Sequence, residues 1–501
     1  MSFSFEHLFR GFEIALTFQN IFWAMVGCFI GTLVGVLPGI GPASGIAILL
    51  PLTTVLPPTS AIIMMAAIYY GAMYGGSTTA IVVNIPGEAS SVPTAIDGYE
   101  MAKQGKAGPA LAIAAISSFV AGTLGLVGLT FFAPLLADVA VAFGPPEYFA
   151  LMFMALTLVI SLSGRALLKG VISMALGLTT SLIGQDPLTG AARLTFGFPK
   201  LLAGIDFISV IVGLFAISEV MVNVESRITA ISQKIGSWMP TWADIRQCTG
   251  AMIRSTGIGF FLGLLPGVTP SVTTFVAYDV EKRVSKTPER FGKGAIEGVA
   301  APEGANNATS TAGFVPLFSF GIPTAPSMAV LLGGLMMYGL QPGPMLFKEN
   351  PDFVWAIIAS MYIGNVMLIV LNLPLVGMWA RICVIPFYIL GPMIVFFSVL
   401  GTYSIRFQPF DVWVMLLFGV IGYLMRKFGY PIAPMVLATV ISQMMEMSLG
   451  QSLLMSQGSV LILFTRPISG VFMALAFISI ARGIWLQIRS HAPEVAVEEA
   501  D

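Results

Sequence analysis

Neutral polar side chains are concentrated in a few short stretches of an otherwise apolar chain. No Asp, Glu, Lys or Arg occurs in residues 14–87, 255–278 or 304–347. Together with backbone N–H and C=O groups, the hydroxyls and amides of these intervals can hold a small ion without a fixed counter-charge. We therefore expect any site here to use hydroxyls, amides and backbone rather than charged side chains.

One glycine- and proline-rich motif occurs twice. GTLVGVLPGIGP (residues 31–42) and GFFLGLLPGVTP (residues 259–270) both fit GxxxGxLPGxxP. Proline interrupts a helix, and the helix that restarts after the break presents free N–H groups and a partial positive charge. Glycine lets a ligand approach those groups closely. Such an end suits an anion, whereas broken-helix carbonyls with Asn, Ser and Thr oxygens suit sodium.

A second pair of segments is less regular. YGGSTTAIVVNIPG (residues 74–87) and NNATSTAGFVPLFSFGIPT (residues 306–324) both begin with small polar residues and end in Ile-Pro. We take the two pairs together as the candidate site. The predicted substrate-binding residues are Pro38, Gly39, Gly41, Ser44, Ser77, Thr78, Asn84, Gly267, Thr269, Ser271, Asn306, Asn307, Thr309, Ser310 and Thr324. A sodium ion is expected near Thr79, Asn84, Asn307 and Thr311.

Each motif also has a purely structural interpretation. The glycines of GxxxG often serve close helix packing, and LPGxxP alone can form an ordinary turn between helices. Ser and Thr hydroxyls in membrane helices often bond a carbonyl of their own helix. The repetition of LPGxxP favours broken or re-entrant helices over a simple turn.

The elements that position these residues are predicted to be membrane helices. The chain has 501 residues, of which 56% are hydrophobic and only 10% charged, whereas soluble domains carry about 25% charged residues. Apolar runs of roughly 20 residues recur along it, each long enough to cross a bilayer. We predict an all-α polytopic membrane protein with about 12 transmembrane helices, some of them broken or re-entrant.

The charge pattern predicts how the helices are oriented. Lys and Arg cluster in the loops at 87–108, 224–250 and 279–302, which the positive-inside rule makes cytoplasmic. The connection between the two motifs of the first half carries no charge, so we expect it on the opposite side. Equivalent loops on opposite sides indicate two inverted-topology repeats, an arrangement found in secondary transporters.

The repeat also predicts the domain organisation. The first half covers residues 1–223, with broken-helix motifs at 31–56 and 74–87. A cytoplasmic linker at 224–254 leads to the second half at 255–486, with motifs at 259–277 and 303–326. A polar acidic tail covers residues 487–501.

Catalytic chemistry finds little support in the residues. The two histidines, His7 and His491, lie near the two ends of the sequence, so a buried Ser–His dyad or a His-based metal site has no partner. There is no Walker A sequence for ATP hydrolysis. The three cysteines are far apart and suggest neither a disulfide framework nor a metal site. We expect no enzyme and no cofactor.

The sequence resembles the large membrane subunit of the tripartite tricarboxylate transporters, the TctA family. The resemblance is carried by both LPGxxP motifs, by YGGSTTAIVVNIPGEASSVPTAIDGYEMAKQGKAGPAL (residues 74–111), and by APEGANNATS with the following FGIPTAP (residues 301–326). It implies two partners, a small TctB-like membrane subunit and a periplasmic TctC-like solute-binding protein. One position departs from the family pattern, because Thr324 stands where we expect a glycine.

The predicted function combines the site with this resemblance. We expect a permease subunit in the bacterial inner membrane that imports a tricarboxylate, a dicarboxylate or a related carboxylate with sodium ions or protons as the coupling ion. A stand-alone ion-coupled organic-anion transporter is the first alternative. A channel or an intramembrane enzyme is less favoured.

Overall fold

The chain is almost entirely helical in its computed structural model, which describes residues 5–37, 41–161, 167–225, 240–382 and 387–490. In chain order the α-helices are α1 Phe5–Ala15, α2 Phe18–Val36, α3 Pro42–Leu49, α4 Pro58–Val83, α5 Val92–Lys103, α6 Ala107–Ala140, α7 Pro145–Ser161, α8 Leu167–Ser181, α9 Phe207–Val212, α10 Ser218–Glu225, α11 Trp242–Gly263, α12 Pro270–Val284, α13 Glu297–Ala312, α14 Phe314–Phe320, α15 Pro326–Met337, α16 Pro344–Glu349, α17 Pro351–Asn372, α18 Val376–Ile382, α19 Phe387–Arg406, α20 Pro409–Lys427, α21 Ile432–Met455, α22 Ile462–Thr465 and α23 Pro467–Ser490. Two short strands, β1 Gly184–Gln185 and β2 Ala192–Arg193, pair antiparallel.

Eight helices among the described residues are long and apolar enough to cross a membrane. They lie at Phe18–Val36, Ala107–Ala140, Phe207–Glu225, Pro351–Asn372, Tyr388–Arg406, Pro409–Lys427, Ile432–Met455 and Pro467–Trp485. Four shorter apolar helices lie at Pro42–Val55, Pro145–Ser161, Leu167–Ser181 and Pro326–Met337. The prediction of an all-α polytopic membrane protein is confirmed. The number of about 12 spans and their inverted topology stay predictions.

The chain packs as two compact units. The first contains Met1–Ala142 and Ile205–Tyr423, and the second contains Phe143–Gly204 and Leu424–Asp501. The first unit therefore takes residues from both sequence halves. The predicted linker at 224–254 is helical from Trp242 onward, and α23 extends to Ser490 within the predicted tail.

Helices α4 and α13 form the interior of the first unit. Every residue of α4 from Ser60 to Val83 is buried, and so is every residue of α13 from Gly298 to Ala312. Both helices are rich in Gly, Ala, Ser and Thr, which let neighbouring backbones approach closely. Helix α2 packs along α4, and α11 packs along α13. The two polar segments thus occupy the most enclosed helices.

The duplicated glycines pack in the same way in both halves. A Cβ atom at Gly35 of α2 would lie 2.2 Å from the carbonyl oxygen of Ala72 on α4. A Cβ atom at Gly263 of α11 would lie 2.8 Å from the Cα of Thr309 on α13. The packing interpretation of GxxxG is therefore confirmed at these positions, since a larger residue would push the paired helices apart.

A buried carboxylate fixes the segment that precedes α13. Asp97 on α5 is fully buried, and its Oδ1 accepts hydrogen bonds of 2.8 Å from the N–H groups of Gly292, Gly294 and Ala295. The Tyr278 hydroxyl of α12 donates to Oδ2 over 2.8 Å. Four donors satisfy this carboxylate without a cation, so the start of α13 is held against α5.

The second unit is built from α7, α8, α21 and α23. Glu147 on α7 is 2% exposed and accepts a hydrogen bond from Arg466 Nε. In the hairpin, Arg193 pairs with Glu446 and lies 3.2 Å from Asp186. These pairs satisfy charges within the unit, and none of the predicted site residues lies in it.

Candidate functional site

The polar segments of the two halves meet at a hydrogen bond. Asn306 on α13 is fully buried, and its Nδ2 donates to Glu88 Oε1 over 3.2 Å. The same Nδ2 lies 3.5 Å from the Met73 carbonyl oxygen of α4. The Asn306 Oδ1 is buried and has no hydrogen-bond partner within the part of the chain that the structure describes. Asn306 of the second segment therefore contacts the two residues that flank the first segment, Met73 and Glu88, and keeps one acceptor open.

Glu88 is positioned by the end of α4. Asn84 ends that helix in a left-handed conformation (φ 56°), which Asn tolerates better than most residues. The chain then turns back so that the Glu88 side chain lies beside Gly76, where a Cβ atom would be 2.9 Å from Glu88 Cγ. Ser90 donates to Glu88 Oε1, and the Ser91 hydroxyl donates to the Glu88 carbonyl over 2.8 Å. These bonds direct the carboxylate toward α13.

Glu303 lies one turn before Asn306 on the same helix. Its side chain is 1% exposed, and its two oxygens accept hydrogen bonds from Thr94 of α5 and, over 3.2 Å, from Ser118 of α6. The ion pairs of the described residues include neither Glu303 nor Glu88. Glu303 is thus buried and Glu88 half-buried, and both carboxylates have neutral donors around them.

A small cavity of about 10 Å³ adjoins Glu303, enough for one water-sized species. Its polar lining residues are Tyr74, Ser77, Thr78, Ser118, Glu303 and Asn372. Tyr74 donates to Asn365 Oδ1 of α17 over 2.7 Å. The Asn365 Nδ2 donates in turn to the Phe119 carbonyl and the Thr123 hydroxyl of α6, both over 3.0 Å. The polar centre therefore continues across three helices.

The second LPGxxP motif forms a turn that is hydrogen-bonded to the Ile-Pro end of the second polar segment. Gly267 has φ +85°, a conformation that strains any residue with a Cβ atom. Its N–H donates to the Thr324 carbonyl over 3.1 Å. Thr324 is 3% exposed, and a Cβ atom at Gly313 would lie 2.7 Å from its Oγ1. The threonine that replaces the expected glycine thus fills space beside α13 and leaves the backbone contact intact.

In the first half, the corresponding turn lies partly outside the described residues. Pro38 and Gly39 fall there, so their predicted roles stay predictions. Gly41 precedes α3, and a Cβ atom there would meet no atom within 4 Å. Ser44 is buried in the first turn of α3. Gly87 packs against the first motif, and a Cβ atom there would clash with the Gly35 carbonyl oxygen.

Several predicted site residues bond within or between the helices. The hydroxyls of Ser310 and Thr311 donate to carbonyls four residues earlier, over 2.8 and 2.9 Å. The Thr309 hydroxyl lies 2.7 Å from that of Thr273 on α12 and donates to the Gly259 carbonyl over 3.0 Å. The hydroxyls of Ser310 and Thr311 follow the structural interpretation of Ser and Thr in membrane helices. The Thr309 hydroxyl instead links α13 to the neighbouring helices α11 and α12.

The remaining predicted residues are divided between the interior and the surface. Asn307 is buried and donates to the Glu303 carbonyl over 3.2 Å, and the buried Thr79 donates to the Gly76 carbonyl over 3.1 Å. Thr269 and Ser271 are half-buried at the start of α12, and Asn84 is exposed. The sodium position near Thr79, Asn84, Asn307 and Thr311 therefore includes one exposed member and stays a prediction.

Two carboxylates were missed by the sequence reasoning. The expected set of hydroxyls, amides and backbone groups stays a prediction, and it leaves out Glu88 and Glu303, which lie among the candidate residues. Both stand one residue outside the charge-free intervals, which end at Gly87 and begin at Gly304. The signal in the sequence was that each glutamate is adjacent to a polar segment, Glu88 at the end of IPGE and Glu303 at the start of EGANN. A glutamate beside a polar membrane segment is by default a candidate functional residue.

Fold and site together define a class of protein. Duplicated Gly/Pro-interrupted segments that meet at a polar centre within a multi-pass helical protein are typical of secondary transporters. Residues 21–437 match the tripartite tricarboxylate transporter TctA family, and the chain belongs to that family. The resemblance predicted from the motifs is thereby confirmed.

Two relatives from Agrobacterium vitis are similar to this chain. One, described as an uncharacterized 52.8 kDa protein in the TAR-I ttuC' 3' region, is 45% identical over 497 residues, which is 99% of each chain. The other, an uncharacterized protein in the TAR-II ttuC' 3' region, is 41% identical over 241 residues, which is 48% of this chain and all of the relative. No solved structure matches this chain.

Proposed function

We propose that this chain is the permease subunit of a tripartite, binding-protein-dependent secondary transporter in the bacterial inner membrane. It imports organic carboxylates, and a sodium or proton gradient drives the uptake. Its partners are a small TctB-like membrane subunit and a periplasmic TctC-like solute-binding protein. Membership of the TctA family over residues 21–437 is the observation that carries this proposal.

The site supports the transport of a small anion. Helices α3 and α12 both begin at the second proline of an LPGxxP motif, and no side chain of the described residues caps either N-terminus. Helix N-termini with free N–H groups favour anions. The Glu88–Asn306 contact joins the second polar segment to the residue that directly follows the first. A ligand between them would contact both repeats, which is where alternating-access transporters bind their substrates.

Reconstitution tests the tripartite arrangement. The purified chain is placed in proteoliposomes alone, with the small membrane subunit, or with both partners, and uptake of radiolabelled citrate, a dicarboxylate and an aromatic carboxylate is measured. We expect accumulation only when all three proteins and an inward sodium or proton gradient are present. An ionophore that collapses the gradient provides the control and should stop accumulation.

Two outcomes would contradict the proposal in different ways. Complete uptake by this chain alone would make it a stand-alone transporter and remove the tripartite arrangement. Downhill flux that no gradient can turn into accumulation would indicate a channel instead of a coupled transporter.

A further inference from the structure

The cavity between α4, α6 and α13 has the size of a single small ion. Its volume of about 10 Å³ accommodates one water-sized species and no organic carboxylate. The polar part of its wall consists of hydroxyls, one carboxylate and one amide, contributed by Tyr74, Ser77, Thr78, Ser118, Glu303 and Asn372. The cavity is therefore too small to hold the transported anion itself, although Ser77 and Thr78 of the candidate site form part of its wall.

One hydroxyl on this wall lacks a hydrogen-bond partner among the described residues. Ser77 is 3% exposed, and its Oγ lies beside the Glu303 carboxylate without the distance and angle of a hydrogen bond. A buried hydroxyl without a partner is destabilising. A cation in the cavity would be coordinated by the Ser77 Oγ together with the Glu303 carboxylate.

The buried carboxylate of Glu303 also has little to compensate its charge. Among the described residues, the hydroxyls of Thr94 and Ser118 donate to it, and it belongs to none of their ion pairs. Removing a carboxylate from water is costly unless a cation or several donors compensate. The four donors that satisfy Asp97 show how this chain holds a carboxylate that needs no cation.

The available ligands select the kind of cation. Oxygen atoms suit hard cations, whereas transition metals prefer imidazole or thiolate ligands. The described residues contain no cluster of three or more His, Cys, Asp or Glu side chains that could hold a metal ion. A single carboxylate balances one positive charge. The combination favours a monovalent, oxygen-coordinated ion.

We propose that the cavity beside Glu303 binds one sodium ion, with the Glu303 carboxylate and the Ser77 hydroxyl among its ligands. The consequence for transport rests on the proposed function. An unneutralised Glu303 would repel an organic anion bound nearby, and sodium removes the contribution of Glu303 to that repulsion. Sodium and the transported organic anion then increase each other's affinity by the same factor, because coupling between two binding sites is reciprocal.

Sodium binding to the purified full chain tests this site without any transport step. Equilibrium binding of radioactive sodium is measured in detergent, with choline as the replacing cation and with neither carboxylate nor partner proteins present. We expect one saturable site in the unmodified chain, at least tenfold weaker binding in Ser77→Ala, and no saturable binding in Glu303→Gln. Ser60→Ala, a buried serine on the same helix α4, should bind as the unmodified chain does.

Each contrary outcome overturns the proposal. Absence of saturable binding in the unmodified chain would show that it has no sodium site. If a pH gradient alone then drove uptake, the coupling ion would be the proton. Unchanged affinity in both Ser77→Ala and Glu303→Gln places sodium elsewhere. Ser77→Ala removes only an unpartnered hydroxyl, so it keeps the test valid if Glu303→Gln does not fold. Because no carboxylate is present, failure of sodium binding is distinguishable from failure of carboxylate uptake.

Discussion

Asn306 donates a hydrogen bond to Glu88 over 3.2 Å and thereby joins the polar segment of one repeat to that of the other. Glu88 follows the Ile-Pro-Gly end of the first segment, and Asn306 opens the second. The contact brings together residues more than 200 positions apart in the sequence. It therefore reports on the packing of the two halves as well as on the site.

Glu88 should contribute to stability through this bond. We expect Glu88→Ala to lower the free energy of unfolding by about 1–3 kcal/mol, because it leaves a buried amide donor with only the long contact to Met73. Glu88→Gln keeps an acceptor and should cost less than half as much. Thermal unfolding in detergent, followed by intrinsic fluorescence, measures both. Equal midpoints for the two variants would contradict this assignment.

The duplicated glycines should be equally intolerant of side chains. Gly35→Ala and Gly263→Ala each place a methyl group against the backbone of the partner helix, so each should cost about 1–3 kcal/mol. Gly257 lies on α11 like Gly263 but has no atom within 4 Å of a Cβ position. Gly257→Ala is therefore the matched control and should be neutral or slightly stabilising, since Ala favours helix. Denaturation curves that place Gly263→Ala level with Gly257→Ala would remove the packing role.

Substitution of Asp97 should destabilise the fold far more than substitution of its hydrogen-bond partner Tyr278. Asp97→Asn keeps the size but turns one acceptor into a donor, which must face either the three N–H groups or the Tyr278 hydroxyl. We expect it to abolish a monodisperse gel-filtration peak or to lower the unfolding midpoint strongly. Tyr278→Phe removes one bond and should cost about 1 kcal/mol. Similar small effects in both variants would show that the carboxylate does not fix the start of α13.

The sequence predicted the helical class correctly and identified the segments of the candidate site, because hydropathy and repeated motifs can be read directly from the residues. LPGxxP identified the breaks before α3 and α12, and both helices begin there. The composition of the two polar segments identified α4 and α13, whose small residues permit their burial.

Other features depend on turns that no periodicity describes. The position of Glu88 follows from the left-handed end of α4 at Asn84, after which helical spacing no longer applies. Glu303 could have been found, because it lies three residues before Asn306 and so on the same face of a helix. The hydroxyls of Ser310 and Thr311 could not be separated from ligand-binding ones by composition, since only their orientation toward the preceding turn distinguishes them.

The most direct test of the transport site is carboxylate uptake by the reconstituted complete system. Asn306→Ala, Asn307→Ala and Ser77→Ala are compared with Asn20→Ala, which removes a buried asparagine of α2 that bonds the Ile14 carbonyl and Ser60. At equal amounts of inserted, monodisperse protein, we expect the three site variants to lose at least tenfold in initial uptake rate and the control to stay within twofold. Full uptake by all three site variants would contradict the account.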